Sequence, residues 1–149
     1  MKIKELLLEQ CKEFVEKRLQ NIKATISSNQ KALQSETKSS AGDKHETGRA
    51  MLQLEMEKAG QQLAAVLQMK ELLPKINTAN SSKTIHLGSI VETNTANYFL
   101  AISAGKLVAG DKTYFAVSSL SPIGKLLLGK QEKEVLFFNG KKIEIQSVF

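Results

Sequence analysis

The sequence predicts an α+β protein: an N-terminal antiparallel helical hairpin, a coiled coil, followed by a small antiparallel sheet wrapped on one short helix. Three observations predict it. Apolar residues recur in alternating steps of four and three through the first half of the chain. The hydrophobic period drops to two after about residue 84. Between the two helical patterns stands one interruption, Ser39 to Glu46, which holds the first glycine of the chain, Gly42. The expected domains are a hairpin over 1–75 with its tip near 39–46, a linker over 76–83, and an α+β domain over 84–149.

The first helix is predicted from residue 2 to about 38, a stretch without Pro or Gly. Val15, Leu19, Ile22, Ile26, Asn29 and Leu33 mark its seam. Leu7, Cys11 and Phe14 broaden the apolar face near its start, where the base of the helix is expected to pack on something else. The second helix is predicted from about 44 to 73. Leu52, Met56, Ala59, Leu63, Val66, Lys70 and Leu73 repeat the alternation, and Pro74 stops it. Gly60 weakens it locally by about 1 kcal/mol relative to Ala. Two seams joined by a short polar link make a hairpin whose arms, at 1.5 Å per residue, reach roughly 45 Å.

The C-terminal part reads as about five strands and one helix. Ile85–Val91, Tyr98–Ile102 and Thr113–Val117 are strands, with Gly88 a bulge position. Ser121 N-caps a short apolar helix with Pro122 in its first turn, and Gly129 ends it. Val135–Phe138 and Lys141–Ile145 flank Asn139-Gly140, the signal for a two-residue hairpin with a type I′ turn. The Met residues at 51, 56 and 69 are read as core filling on the apolar face.

Composition narrows the function classes. No apolar run is long enough to span a bilayer, and a lone Cys11 excludes an internal disulfide framework, so the protein is placed in the cytoplasm, away from membranes. The net charge of +6 is uneven. Residues 1–38 carry eight Lys/Arg against five Asp/Glu, residues 75–149 nine against five, and residues 39–74 four against five. A basic surface fits a polyanionic partner or simple solubility. No Gly-rich phosphate loop, Cys/His metal spacing or serine-nucleophile elbow is present. Cys11 has no supporting base and reads as a small buried hydrophobe, and His86 as a strand-face residue.

The stretch Ser121-Pro122-Ile123-Gly124-Lys125-Leu126-Leu127-Leu128-Gly129-Lys130 resembles the Gre transcript-cleavage factors of bacterial RNA polymerase. Their C-terminal domain has a similar Ser-Pro-Ile-Gly and Leu-Leu-Gly-Lys segment, followed by two strands, the last rich in Ile. Leu87-Gly88-Ser89-Ile90-Val91 is similar to that domain's opening strand. The resemblance implies an FKBP-like fold for residues 84–149 and bacterial RNA polymerase as partner. Docking would fall to Ser121, Pro122, Ile123, Gly124 and Lys125. It also implies that a hairpin tip enters the secondary channel and lends two carboxylates to the polymerase's own hydrolysis of backtracked RNA. The matching residues here are Asp43 and Glu46, sharing the polymerase magnesium only in the complex. The chain would hold no cofactor of its own, act as a monomer, meet nascent RNA only indirectly, and not be an enzyme alone. The Leu-Ser between the acids and the Asn-Ala-Glu-Tyr after them are here Lys44-His45 and Thr47-Gly48-Arg49.

Three further readings stand beside this one. Asp43 and Glu46 also have the form of a capping box that starts the second helix. The altered tip equally suits a regulator that occupies the channel without cleavage. The implied FKBP-like fold would allow an interaction or chaperone module, although the chain has no Trp and few aromatics to line an isomerase pocket.

Overall fold

In the computed structural model, the backbone is described for residues 2–38 and 43–149, and side chains for 2–35 and 47–149. The chain forms a long helical hairpin followed by a small mixed sheet of six strands with one short helix. It divides into two compact units, Val15–Lys70 and a unit that joins Met1–Phe14 to Glu71–Phe149. No helix among the described residues is long and apolar enough to cross a membrane.

The hairpin unit is made from α1 (Lys2–Lys38) and α2 (Asp43–Leu72). The four-three alternation is what they bury. Val15, Leu19, Ile22 and Asn29 on α1, and Ala59 and Val66 on α2, are buried. Ile26, Leu33, Leu52, Met56 and Leu63 are half-buried. Lys70, read as a seam position, is exposed and instead pairs with Glu16 at 3.3 Å. Both groups are more than half exposed, so the pair contributes little beyond fixing register. Met51, read as core filling, is exposed, whereas Met56 and Met69 are half-buried. A single 3-10 turn, Leu73–Lys75, ends the second arm with Pro74 inside it.

The sheet unit contains β1 (Ile90–Thr93), β2 (Asn97–Ala101), β3 (Gly105–Ala109), β4 (Lys112–Ser118), α3 (Pro122–Leu127), β5 (Val135–Phe138) and β6 (Lys141–Val148). Its order is β3-β4-β2-β1-β6-β5. The sheet is not wholly antiparallel, as β2 and β4 run parallel, Tyr98 opposite Phe115 and Leu100 opposite Val117. The reason is an unforeseen strand. β3 turns back after β2 but stays one strand away, and β4 fills the gap between them. The β3–β4 turn is Gly110-Asp111, with Gly110 at φ +66, the position where a two-residue turn needs a positive φ.

Two other elements depart from expectation. Residues 85–89 are not strand, and β1 begins only at Ile90. Gly88 sits at φ +92 where a turn meets a bulge, as expected: it donates its N–H to the Leu100 carbonyl at 2.7 Å while the Leu100 N–H donates to the Ser89 carbonyl at 3.0 Å, so two residues face one. His86 is therefore not on a strand face. It is half-buried in the same turn, its Nδ1 lying 3.0 Å from Ser89 Oγ and 3.1 Å from the Thr84 carbonyl. The β5–β6 hairpin forms as the Asn139-Gly140 signal predicts, with both residues at positive φ and Phe138 opposite Lys141.

One face of the sheet carries the main core. Ile85, Val91, Leu100, Leu136, Ile143, Ile145 and Val148 close around Ile123 and Leu127 of α3. The register places Ile90, Phe99, Ala116 and Tyr114 on the other face, where they too are buried. The base of α1 serves this second face: Leu7 and Cys11 are fully buried. The Gln10 amide donates to the Val108 carbonyl at 2.7 Å and accepts the Val108 N–H at 3.2 Å, on the edge strand β3.

Candidate functional site

Three places could carry function, and they differ in how much of each the fold consumes. The first is the hairpin tip. α2 opens at Asp43, so Asp43 and Glu46 both fall within its first turn, where carboxylates also offset the helix macrodipole. Their side chains lie outside the described residues, as do those of Lys44 and His45. The stretch of α1 from Val15 to Lys38 is roughly 35 Å long. Thr47, Arg49 and Ala50, the next turn of α2, are exposed.

The second is the segment around α3. Its sequence explains its local structure fully. Ser121 takes an extended conformation, φ −69° and ψ 158°, and its Oγ accepts the Gly124 N–H at 3.1 Å. The same hydroxyl donates to the Ser118 carbonyl at 2.6 Å. Pro122 occupies the first turn, where its missing N–H costs nothing. Gly124 is required by close approach: a Cβ there would stand 1.9 Å from the Ser118 carbonyl oxygen. Ile123 and Gly124 are buried and Ser121 is half-buried, so these three hold the fold together. Pro122 and Lys125 are exposed. Around them stand apolar side chains not singled out in the sequence: Leu120 is 78% exposed, Leu128 48% and Leu126 37%. Their signal was present, since a six-residue helix can turn only one side of Leu126-Leu127-Leu128 inward.

The third is a cavity of about 340 Å³ in the sheet unit, partly open to solvent. Its apolar wall is Ile3, Ile90, Tyr114 and Phe149. Lys2, Lys4, Ser81, Lys112 and Glu92 complete its lining. Lys4 is only 1% exposed, and its Nζ donates to the Asn80 carbonyl at 2.6 Å. Burial pulls the Lys4 ammonium below the usual lysine range. Lys112 is paired with Glu92 at 2.8 Å, and the hydrogen bond to that carboxylate raises its pKa. Burial raises the Tyr114 phenol. No sequence signal marked this site, because its lining comes from residues 2–4, 81, 90–92, 112–114 and 149. Among the described residues no cluster of three or more His, Cys, Asp or Glu side chains could hold a metal ion.

No model of a known protein family matches the chain. No curated protein sequence matches it either. Among solved structures, that of the transcription factor Gfh1 aligns over 91% of this chain and 91% of its own, at 20% identity and a TM-score of 0.37.

Proposed function

We propose that this chain is an RNA polymerase-binding transcription elongation factor that carries Asp43 and Glu46 on a stiff hairpin into the polymerase secondary channel. There it stimulates cleavage of backtracked RNA. The observation that carries the reading is the joint occurrence of two features. An Asp-x-x-Glu pair opens α2 at the reversal of a long hairpin, and the Ser121–Lys130 segment that resembles the Gre factors folds as an N-capped helix on a small sheet.

The chemistry is simple. Two-metal phosphodiester hydrolysis needs both ions clamped near the attacking and leaving oxygens. Carboxylates are the hard oxygen donors that magnesium accepts, and magnesium keeps several waters and needs few protein contacts. A hairpin can therefore complete such a site from outside without holding an ion itself. The polymerase performs the hydrolysis and this chain is the accessory. Docking falls to the exposed side of α3, with Pro122 and Lys125 offered to the partner and Ser121, Ile123 and Gly124 shaping the helix that presents them.

A second reading has its own observation. Lys44 stands between the two acids in the sequence and Arg49 follows them by three residues. They suit a regulator that fills the channel and leaves the metal site incomplete. Transcript cleavage in a backtracked complex of the cognate polymerase separates the two, with wild type compared to an Asp43→Ala, Glu46→Ala double variant. Stimulation by wild type that the double variant loses, with binding retained, is the expected result. Binding without stimulation selects the non-cleaving regulator. Absence of any association with core polymerase rejects both.

A further inference from the structure

We propose that the cavity between the first turn of α1 and the sheet binds a small amphipathic carboxylate, its apolar body against Ile3, Ile90, Tyr114 and Phe149 and its carboxylate at Lys4. This goes beyond the transcriptional reading and does not depend on it. The volume, about 340 Å³, lies in the range of small-molecule sites, as does the pattern of an apolar wall with a few polar groups.

Charge decides the class of ligand. The lining residues include three lysines and one glutamate, and that glutamate, Glu92, is already engaged by Lys112 at 2.8 Å. Lys4 is the unbalanced group. It is almost completely buried, and the hydrogen bond it makes among the described residues goes to a neutral carbonyl, Asn80. An ammonium has three donors and gains most from an anionic partner. A buried cation without a counter-ion is costly to keep charged, which agrees with the lowered Lys4 pKa. An incoming carboxylate would supply both the missing charge and the missing acceptors. Lys2 stands beside it on the exposed side, and Lys2, Ile3 and Lys4 form the first turn of α1, whose N–H groups have no partner within the helix. A cationic or neutral ligand would leave Lys4 as it is, so the site favours anions.

The test uses the full chain and octanoate as the probe, with 1-octanol and octylammonium as neutral and cationic partners of equal apolar length. Methyl resonances of Ile3 and Ile90 report binding in the cavity. The expected result is saturable binding of octanoate, about tenfold or more tighter than either partner, the factor that one charge-assisted contact supplies. Lys4→Met keeps the apolar stem and removes the charge. It is expected to abolish the preference for octanoate while leaving octanol binding unchanged. Ile3 is 43% exposed, so Ile3→Trp can fill the cavity without entering the core, and it should remove binding of all three. Equal binding of octanoate and octanol by the wild type would show an apolar hole only and overturn the proposal. So would the lack of any shift at Ile3 or Ile90 with millimolar octanoate. The wild-type comparison of the three probes decides the matter even where Lys4→Met fails to fold.

Discussion

At the scale of single residues, the buried thiol gives the sharpest physical consequence. Cys11 is fully buried, and burial pushes its pKa from 9.0 up to about 12. The unfolded chain therefore releases this proton near pH 9 while the folded chain holds it. The folded state binds more protons in that window, so stability is present in full below pH 9 and falls as pH rises toward 12. The slope from one such group is at most about 1.4 kcal/mol per pH unit. Tyr98 and Tyr114, both raised by burial, act in the same direction above pH 10. Lys4, lowered by burial, acts oppositely, adding stability as pH rises toward 10.5. Cys11→Ala isolates the thiol's share. The variant is expected to lose about 1 kcal/mol at neutral pH, from removed contacts, and to show a shallower decline in urea midpoints above pH 9. An identical alkaline decline in both proteins would remove Cys11 from the account.

At the scale of the element, the two helices show what periodicity can and cannot reveal. The seam positions were legible because a four-three alternation in apolar residues has few other meanings, and Val15, Leu19, Ile22, Ala59 and Val66 are buried as it requires. Asn29 occupies the same seam, yet its Nδ2 is buried without a hydrogen-bond partner among the described residues. A polar group at such a position weakens the pair but disfavours slipped registers. Gly60 raises the opposite question. It lies inside α2, is exposed, and an added Cβ would meet nothing within 4 Å. No close approach requires glycine there. Gly60→Ala is expected to stabilise the hairpin by about 0.5–1 kcal/mol, by removing backbone freedom from the unfolded chain. Thermal melts of the two proteins check it. Among the strands, β5 and β6 were legible from Asn139-Gly140, whereas β3 was not. Gly105-Lys106-Leu107-Val108-Ala109 holds one β-branched residue, and its inward positions, Leu107 and Ala109, form too short an alternation to stand out. The parallel pairing of β2 with β4 had no local signal at all, because it follows from where β3 is placed.

At the scale of the whole molecule, the candidate sites were readable in inverse proportion to the distance their residues span in the chain. The α3 segment is contiguous, and Ser121, Pro122 and Gly124 explain their own geometry. The acid pair at Asp43 and Glu46 is two residues in one turn. The cavity around Lys4 joins five distant segments, and Lys4 in the sequence is one lysine among many. The base of α1 belongs to the same unit as the sheet, and its side chains reach into that unit's strands. Gln10 has a consequence of this kind. Its amide occupies both hydrogen-bonding groups of Val108, on the open side of the edge strand β3. An uncovered strand is a template for a second chain. Gln10→Ala should therefore leave the fold in place but expose that template, and light scattering should show concentration-dependent self-association that the wild type lacks. One side chain would then act as a guard of this edge against β-augmentation, satisfying two backbone groups before a neighbour can.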